Sequence, residues 1–287
     1  MHKIIALLFL LGVSSLEAKI ITTDKIEDIE VEFAKADNET LVIFDCDDVL
    51  IEAHDAILQY QNEGALKIIA NDFMKSLANH HDEKHNPKDT YVFFRSIVMR
   101  DLSDDLLNDR WPLLIKVLQS RGIKTILLTS HDTGKFGVVK SMALWRHKEL
   151  LKFDIDFAKS WHSVARIDLG NVPVDECAHN GASTNPEFNY GMLLTGKAKK
   201  GFTLSAFLSK IPQYKFKKII FIDDRIDNLK SVEKVSNEIG AEFVGIEYTY
   251  SKTKKRPTLN LEKARKQFEI LIKEKRWMSD EEMEKIK

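Results

Sequence analysis

The sequence predicts an α/β fold built on a parallel sheet, and three apolar runs carry that expectation. Leu41 to Phe44 is unbroken in apolar character and empties into Asp45, with Asp47 next but one. Such a run suits a strand covered on both faces, and a ligand site is expected beyond the carboxyl end of a strand of this kind. Ile219 to Ile222 ends in the same way, in Asp223 and Asp224 with Asp227 following. Gly122 to Leu128 reads as another strand and stops at Thr129 and Ser130.

In chain order, His2 and Lys3 form a short basic lead, Ile4 to Val13 an apolar core, and Ser14 to Ala18 a stretch ending in a small residue. This is the layout of a secretory signal peptide over residues 1–18, and its apolar core falls well short of the roughly 20 residues that cross a bilayer. The mature chain is expected to begin near Lys19 and to be periplasmic or secreted, with no stable membrane span. Asp24 and Glu27 have the spacing of a capping arrangement for a helix to about Ala36.

From Ile51 to Arg110 the apolar spacing is helical, at Ala56 to Leu58 and at Leu66, Ile68, Ile69, Phe73 and Leu77. The core is therefore expected in residues 19–50 and 111–287, with 51–110 as an inserted, all-helical cap. Asp101 to Ser103 is read as the start of a helix through Leu118 that Gly122 ends. A helix follows at Val138 to Leu151, then an irregular insertion over about 152–187 whose Asn171 to Pro186 part reads as loop. Phe188 to Leu194 reads as one strand, Thr203 to Leu208 as helix, Asn228 to Ile239 as helix, Ala241 to Tyr250 as strand and Leu261 to Lys275 as a final helix. The chain carries no internal repeat or low-complexity segment.

Carboxylates crowded at one sheet edge disfavour one another's charged forms, and a hard divalent cation relieves this. Mg²⁺, which takes oxygen ligands and leaves room for water and phosphate, is the expected cofactor. Thr129 offers a hydroxyl to an anion, and Lys197, Lys199 or Lys200, ahead of Gly201, offers positive charge.

In the order Asp-x-Asp, Thr, Lys, Asp-Asp-x-x-Asp, these residues resemble the four signature motifs of the haloacid dehalogenase-like (HAD) superfamily, from about Leu41 to about Tyr250. The fuller pattern is similar to a group of signal-bearing HAD-like proteins from intracellular bacteria, catalogued mainly as a domain of unknown function. The resemblance implies a Rossmann-like parallel sheet flanked by helices, with a mainly helical cap over the active site. It implies that Asp45 is nucleophile and metal ligand, and that Asp47 is general acid and base whose carbonyl also binds metal. Thr129 would hydrogen-bond the phosphoryl group and Lys200 neutralise it. Asp224 would be the principal metal carboxylate, Asp223 its alternative or partner, and Asp227 would orient the lysine. Position 48 is Asp where many members of the superfamily have Gly, and Val49 stands where Thr is commoner.

The expected activity is hydrolysis of a small phosphomonoester through an aspartyl-phosphate, with Mg²⁺. A phosphotransferase using the same intermediate, or a binding or effector module that has lost turnover, are the alternatives. Lys plus Arg, 43, nearly cancels Asp plus Glu, 44, so nothing points to nucleic acid. Strand alternation makes Cys46 a small buried side chain, which argues against a pair with Cys177. His80, His81 and His85 lie among charges before Pro87 and read as a solvated loop; Lys252 to Arg256 reads the same way. Trp111, Trp145 and Trp161 are candidates for packing in core or cap, or for stacking on a substrate.

Overall fold

The computed structural model describes residues 18–78, 87–170, 172–173, 185–256 and 258–286. The leader up to residue 17, the three histidines and Cys177 lie outside them. The chain opens with β1 (Lys19–Thr23), α1 (Ile26–Ala34) and β2 (Thr40–Phe44). After β3 (Ile51–Ala53) come α2 (Glu63–Ala78), α3 (Pro87–Asp101) and β4 (Asp104–Leu106). The chain continues through α4 (Trp111–Ser120), β5 (Lys124–Thr129), α5 (Met142–Leu151), β6 (Ile167–Asp168), β7 (Glu187–Asn189) and β8 (Met192–Leu194). It ends with α6 (Lys200–Lys210), β9 (Lys218–Asp223), α7 (Ile226–Ile239), β10 (Glu242–Tyr248), α8 (Tyr250–Thr253), α9 (Leu261–Glu274) and α10 (Asp280–Glu284).

The main sheet runs β1-β10-β9-β2-β5-β8-β7-β6. Its pairings are parallel from β1 to β8 and antiparallel from β8 to β6. This is an α/β fold with a mostly parallel central sheet flanked by helices. Alternation divides β2 between two cores. Val42 and Phe44 pack with Ile29, Trp111 and Met142, while Leu41 and Ile43 pack with Leu204, Phe207 and Leu229. Burial on both faces is why the strand is apolar at every position.

A third apolar cluster lies away from the sheet. Ile69, Phe73 and Leu77 of α2 meet Phe94 and Ile97 of α3, together with Phe268 and Leu271 of α9 and the nearby Trp277. α9 and Trp277, expected in the core, thus pack on the inserted helices. Nor is the insertion all-helical, because β3 and β4 pair antiparallel at its base.

Four further expectations change. Asp24 does not cap α1. Lys25 is the N-cap residue, with no side-chain cap, and the Thr23 hydroxyl donates to Asp28 at 2.5 Å. Asp101 closes α3 instead of opening a helix, and α4 begins at Trp111, with Pro112 in its first turn. The predicted strand 188–194 is a hairpin. Tyr190 (φ 53°) and Gly191 (φ 72°) form its tip, and two successive residues with positive φ are what a tight two-residue turn of matching twist requires. A Cβ at Gly191 would also stand 2.3 Å from the backbone of Phe157. The basic run 252–256 is not a free loop, since Lys254 and Arg256 both pair with the buried Glu52. No described helix is long and apolar enough to cross a membrane.

Candidate active site

The chain leaves β2 for β5 and β8 on one side, then returns through β9 and β10 on the other. The switch in direction lies between β2 and β9, the place where sheets of this topology form a crevice at the strands' carboxyl ends. Asp45 and Asp223 flank that crevice. The amide of Asp45 donates to the Ile222 carbonyl at 2.9 Å, continuing the β2–β9 ladder, so sheet geometry fixes its position.

Asp45 Oδ1 accepts from the Cys46 amide at 2.8 Å and lies 2.6 Å from Lys200 Nζ. The same ammonium donates to Asp223 Oδ2 at 2.7 Å, while Asp223 Oδ1 accepts from the Arg225 amide and the Asn228 side chain, each at 2.9 Å. Lys252 Nζ donates to the backbone carbonyl of Asp224. Carboxylate oxygens of Asp45, Asp223 and Asp224 lie within 4.8 Å of one another.

Lys200 is the first residue of α6, and its side chain is only 1% exposed. A buried ammonium is costly unless paired, and two carboxylates answer that need by holding its pKa above the ordinary lysine value against the effect of burial. Gly201 makes the placement possible, because a Cβ there would stand 2.2 Å from the Ser231 carbonyl of α7. Of the three candidate lysines, Lys200 is the buried one that joins the cluster; Lys197 is half-buried and Lys199 exposed.

One ammonium does not balance three carboxylates. Burial pushes the Asp45 carboxyl well up, opposed by Lys200 and reinforced by Asp223 and Asp224. Burial and Asp223 push Asp224 to about 6. Three clustered oxygen donors in negative excess are a fitting donor set for a hard divalent cation.

The other predicted residues fall as follows. Thr129, buried at the end of β5, lies two residues beyond Leu127, the register partner of Phe44. Asp227 is exposed in the first turn of α7, and the lysine it was expected to orient is held instead by Asp45 and Asp223. The reason is local: Asp223 ends β9 pointing at α6, whereas Asp227 is already on the helix beyond. Cys46 is fully buried in the core, and burial pushes its thiol well up.

The carboxylate of Asp47 does not join the cluster. It is half-exposed and accepts from Arg146 Nη2 at 2.9 and 3.3 Å. Arg146 comes from α5 and is 3% exposed, with Nη1 3.6 Å from Asp104 Oδ2 and its guanidinium stacked 4.6 Å from the Trp145 ring. Neighbouring His131 is held neutral, its pKa pushed down to about 3 by burial and then by Arg146. Sequence reasoning missed this arginine, since one basic residue on a mixed helix carries no signal of burial. Asp48, next to the pair, has φ 62°, a left-handed backbone that Asp tolerates better than most residues.

A family profile described as a protein of unknown function, DUF2608, matches residues 22–284. The chain belongs to the DUF2608 family. It is also similar to the uncharacterized protein RP296 of Rickettsia prowazekii, 23% identical over 233 residues that cover 80% of this chain and 78% of the relative. An uncharacterized protein of Rickettsia felis is 23% identical over 252 residues, covering 85% and 81%. No solved structure matches. The DUF2608 match takes in every element from α1 to α9, with both sides of the crevice and the inserted helices.

Proposed function

We propose that this DUF2608 protein is an exported, Mg²⁺-dependent phosphatase of HAD type that hydrolyses a phosphomonoester through an aspartyl-phosphate on Asp45. The observation that carries the reading is the cluster itself: a strand-end carboxylate bonded to a buried lysine and closed by two carboxylates from the neighbouring strand. Both close contacts of Asp45 fall on one oxygen, Oδ1. Its second oxygen is the one assigned to attack on phosphorus, which splits one displacement into two easier ones.

Lys200 stabilises charge on the phosphoryl oxygens, and Thr129 donates a hydrogen bond to them. Asp47, held by Arg146 on the open side, protonates the leaving oxygen and later takes a proton from water. Mg²⁺ held by Asp45, Asp223, Asp224 and the Asp47 carbonyl would neutralise phosphoryl charge and orient the ester. The left-handed backbone at Asp48 supports the reading, since it is where the superfamily often places glycine. Export is supported by the position of β1, which starts at Lys19, so a cut after Ala18 spares the first strand.

A panel of phosphate esters tests this reading on the purified protein with Mg²⁺ and with excess chelator. At least one ester should release phosphate, with loss on chelation and recovery on adding Mg²⁺. Full activity in excess chelator would remove the metal, and silence across the panel would remove the phosphatase.

A further inference from the structure

Between the sheet edge and the inserted helices lies a cavity of about 340 Å³, within the size range of small-ligand sites. Its two ends differ. At one end Asp47, Asp48, Asp104, His131, Trp145 and Arg146 line it. The other is walled by Leu66 and Phe73 of α2, Phe94 and Val98 of α3, and Phe268 and Leu271 of α9. Of the paired aspartates, Asp47 lines the cavity and Asp45 does not. The cavity thus begins on the side where the proposed acid stands, away from the carboxylate cluster.

Several polar atoms at this end are buried without a hydrogen-bond partner among the described protein groups: Arg146 Nε and Nη1, Trp145 Nε1, His131 Nδ1 and Asp104 Oδ2. Arg146 and His131 are each more than nine-tenths buried. Buried polar groups are normally paired, and an unpaired one costs about 1–3 kcal/mol. Arg146 Nε and Trp145 Nε1 are donors without an acceptor, Arg146 Nη1 reaches Asp104 Oδ2 only at 3.6 Å, and such groups beside an apolar wall describe the complement of an amphiphile.

We propose that the cavity receives the leaving group of the substrate, and that the substrate is a phosphomonoester of an apolar alcohol or phenol. The inference rests on the phosphatase reading for the placement of the phosphate, but the apolar chamber can be tested without it. The ester oxygen lies toward Asp47, polar atoms near it meet Arg146 and Trp145, and the hydrocarbon extends beneath α2, α3 and α9. When the bond from phosphorus to the ester oxygen breaks, Asp47 gives that oxygen its proton, and the free alcohol is left in the apolar chamber.

Two probe series decide the matter by calorimetry on the purified full chain: n-alkyl phosphonates, whose phosphorus–carbon bond is not hydrolysed, and the matching n-alcohols. Each added methylene should tighten binding about threefold to fourfold in both series until the chamber is filled. Ala70 lines the chamber on α2. Ala70→Trp should weaken octylphosphonate at least about tenfold and flatten the dependence on chain length. The wild-type series needs no variant to fold, so it stands alone. Affinity independent of chain length in both series would overturn the proposal. A steep dependence in both series, with no gain from the phosphonate head over the alcohol, would support the apolar chamber and count against the phosphatase reading. A phosphatase that turns over short polar esters, with flat affinity in both probe series, would keep the chemistry and remove the apolar substrate.

Discussion

At the edge between β2 and β9, burial goes with dense pairing: Lys200 is held by two carboxylates and Asp223 accepts from three donors. Beside the inserted helices, Arg146, Trp145, His131 and Asp104 keep buried polar atoms with no hydrogen-bond partner among the described groups, and Arg146 Nη1 meets Asp104 Oδ2 only at 3.6 Å. The first region pairs its polar groups within the protein while keeping an excess of carboxylates, and its geometry follows from the hydrogen-bonded register of two adjacent strands. The second is assembled from α2, α3, α5 and α9, brought together by packing. On the reading proposed above, the sheet edge would set the chemistry, whereas the helical chamber would set what is admitted to it.

The sharpest way to break that division is Asp45→Asn, which keeps size and removes the attacking charge. Turnover should fall to background, and quenched reactions analysed by peptide mass spectrometry should show no phosphoryl label. Wild-type turnover, or label on another residue, would sink the assignment of the edge. Asp47→Asn should lower turnover by about 10²–10⁴-fold, the usual contribution of a general acid and base. Esters with good leaving groups should still label Asp45 in this variant, and the label should persist.

On the chamber side, Trp277→Ala should cost about 3–5 kcal/mol in denaturant unfolding, as large truncations in a core do. Trp277 is 2% exposed, packs 5.4 Å from the Phe268 ring and donates from Nε1 to Asp55 Oδ2 at 2.7 Å. A loss under about 1 kcal/mol would mean that α9 is not held to α2 and α3 in this way.

The remaining expected effect is a pH dependence. Asp104 is pushed from 3.8 to about 7, chiefly by burial and against the pull of Arg146. The folded state thus binds this proton more tightly than the unfolded chain. Its contribution to stability is full below about 3.8 and is lost as pH rises through about 7, with a slope of up to about 1.4 kcal/mol per pH unit. Against an Asp104→Asn variant, the wild type should lose relative stability over that window and level off above it. Parallel stability curves for the two proteins would show that Asp104 titrates as if in water.

Sequence and structure agree best where the strand is buried on both faces. β2, β5 and β9 announce themselves as apolar runs, and the residues at their ends can be named because a parallel sheet gathers its carboxyl ends on one side. β1 has no such signal: only Ile20 and Ile21 of its five residues are apolar, too short a run to read as a strand, and its pairing with β10 spans almost the whole chain. The β7–β8 hairpin read as one strand because Tyr190 and Gly191 lack the Asn-Gly or Asp-Gly signature of tight turns. α9 was recognised as a helix, yet an amphipathic stripe does not say which surface will cover it. Arg146 was invisible for a related reason, since its partners Asp47 and Asp104 are distant in sequence and come from other elements.

α9 follows every strand of the sheet in the chain, and this gives synthesis an order. The carboxylates and Lys200 are all in place once β9 has formed, whereas Phe268 and Leu271 arrive only after β10. A chain cut between β10 and α9 by a protease would therefore keep the carboxylate cluster while losing a wall of the chamber. The apolar sides of α2 and α3 would then face water. On the proposed reading, loss of discrimination and a tendency to stick to other chains would come together, from a single cut.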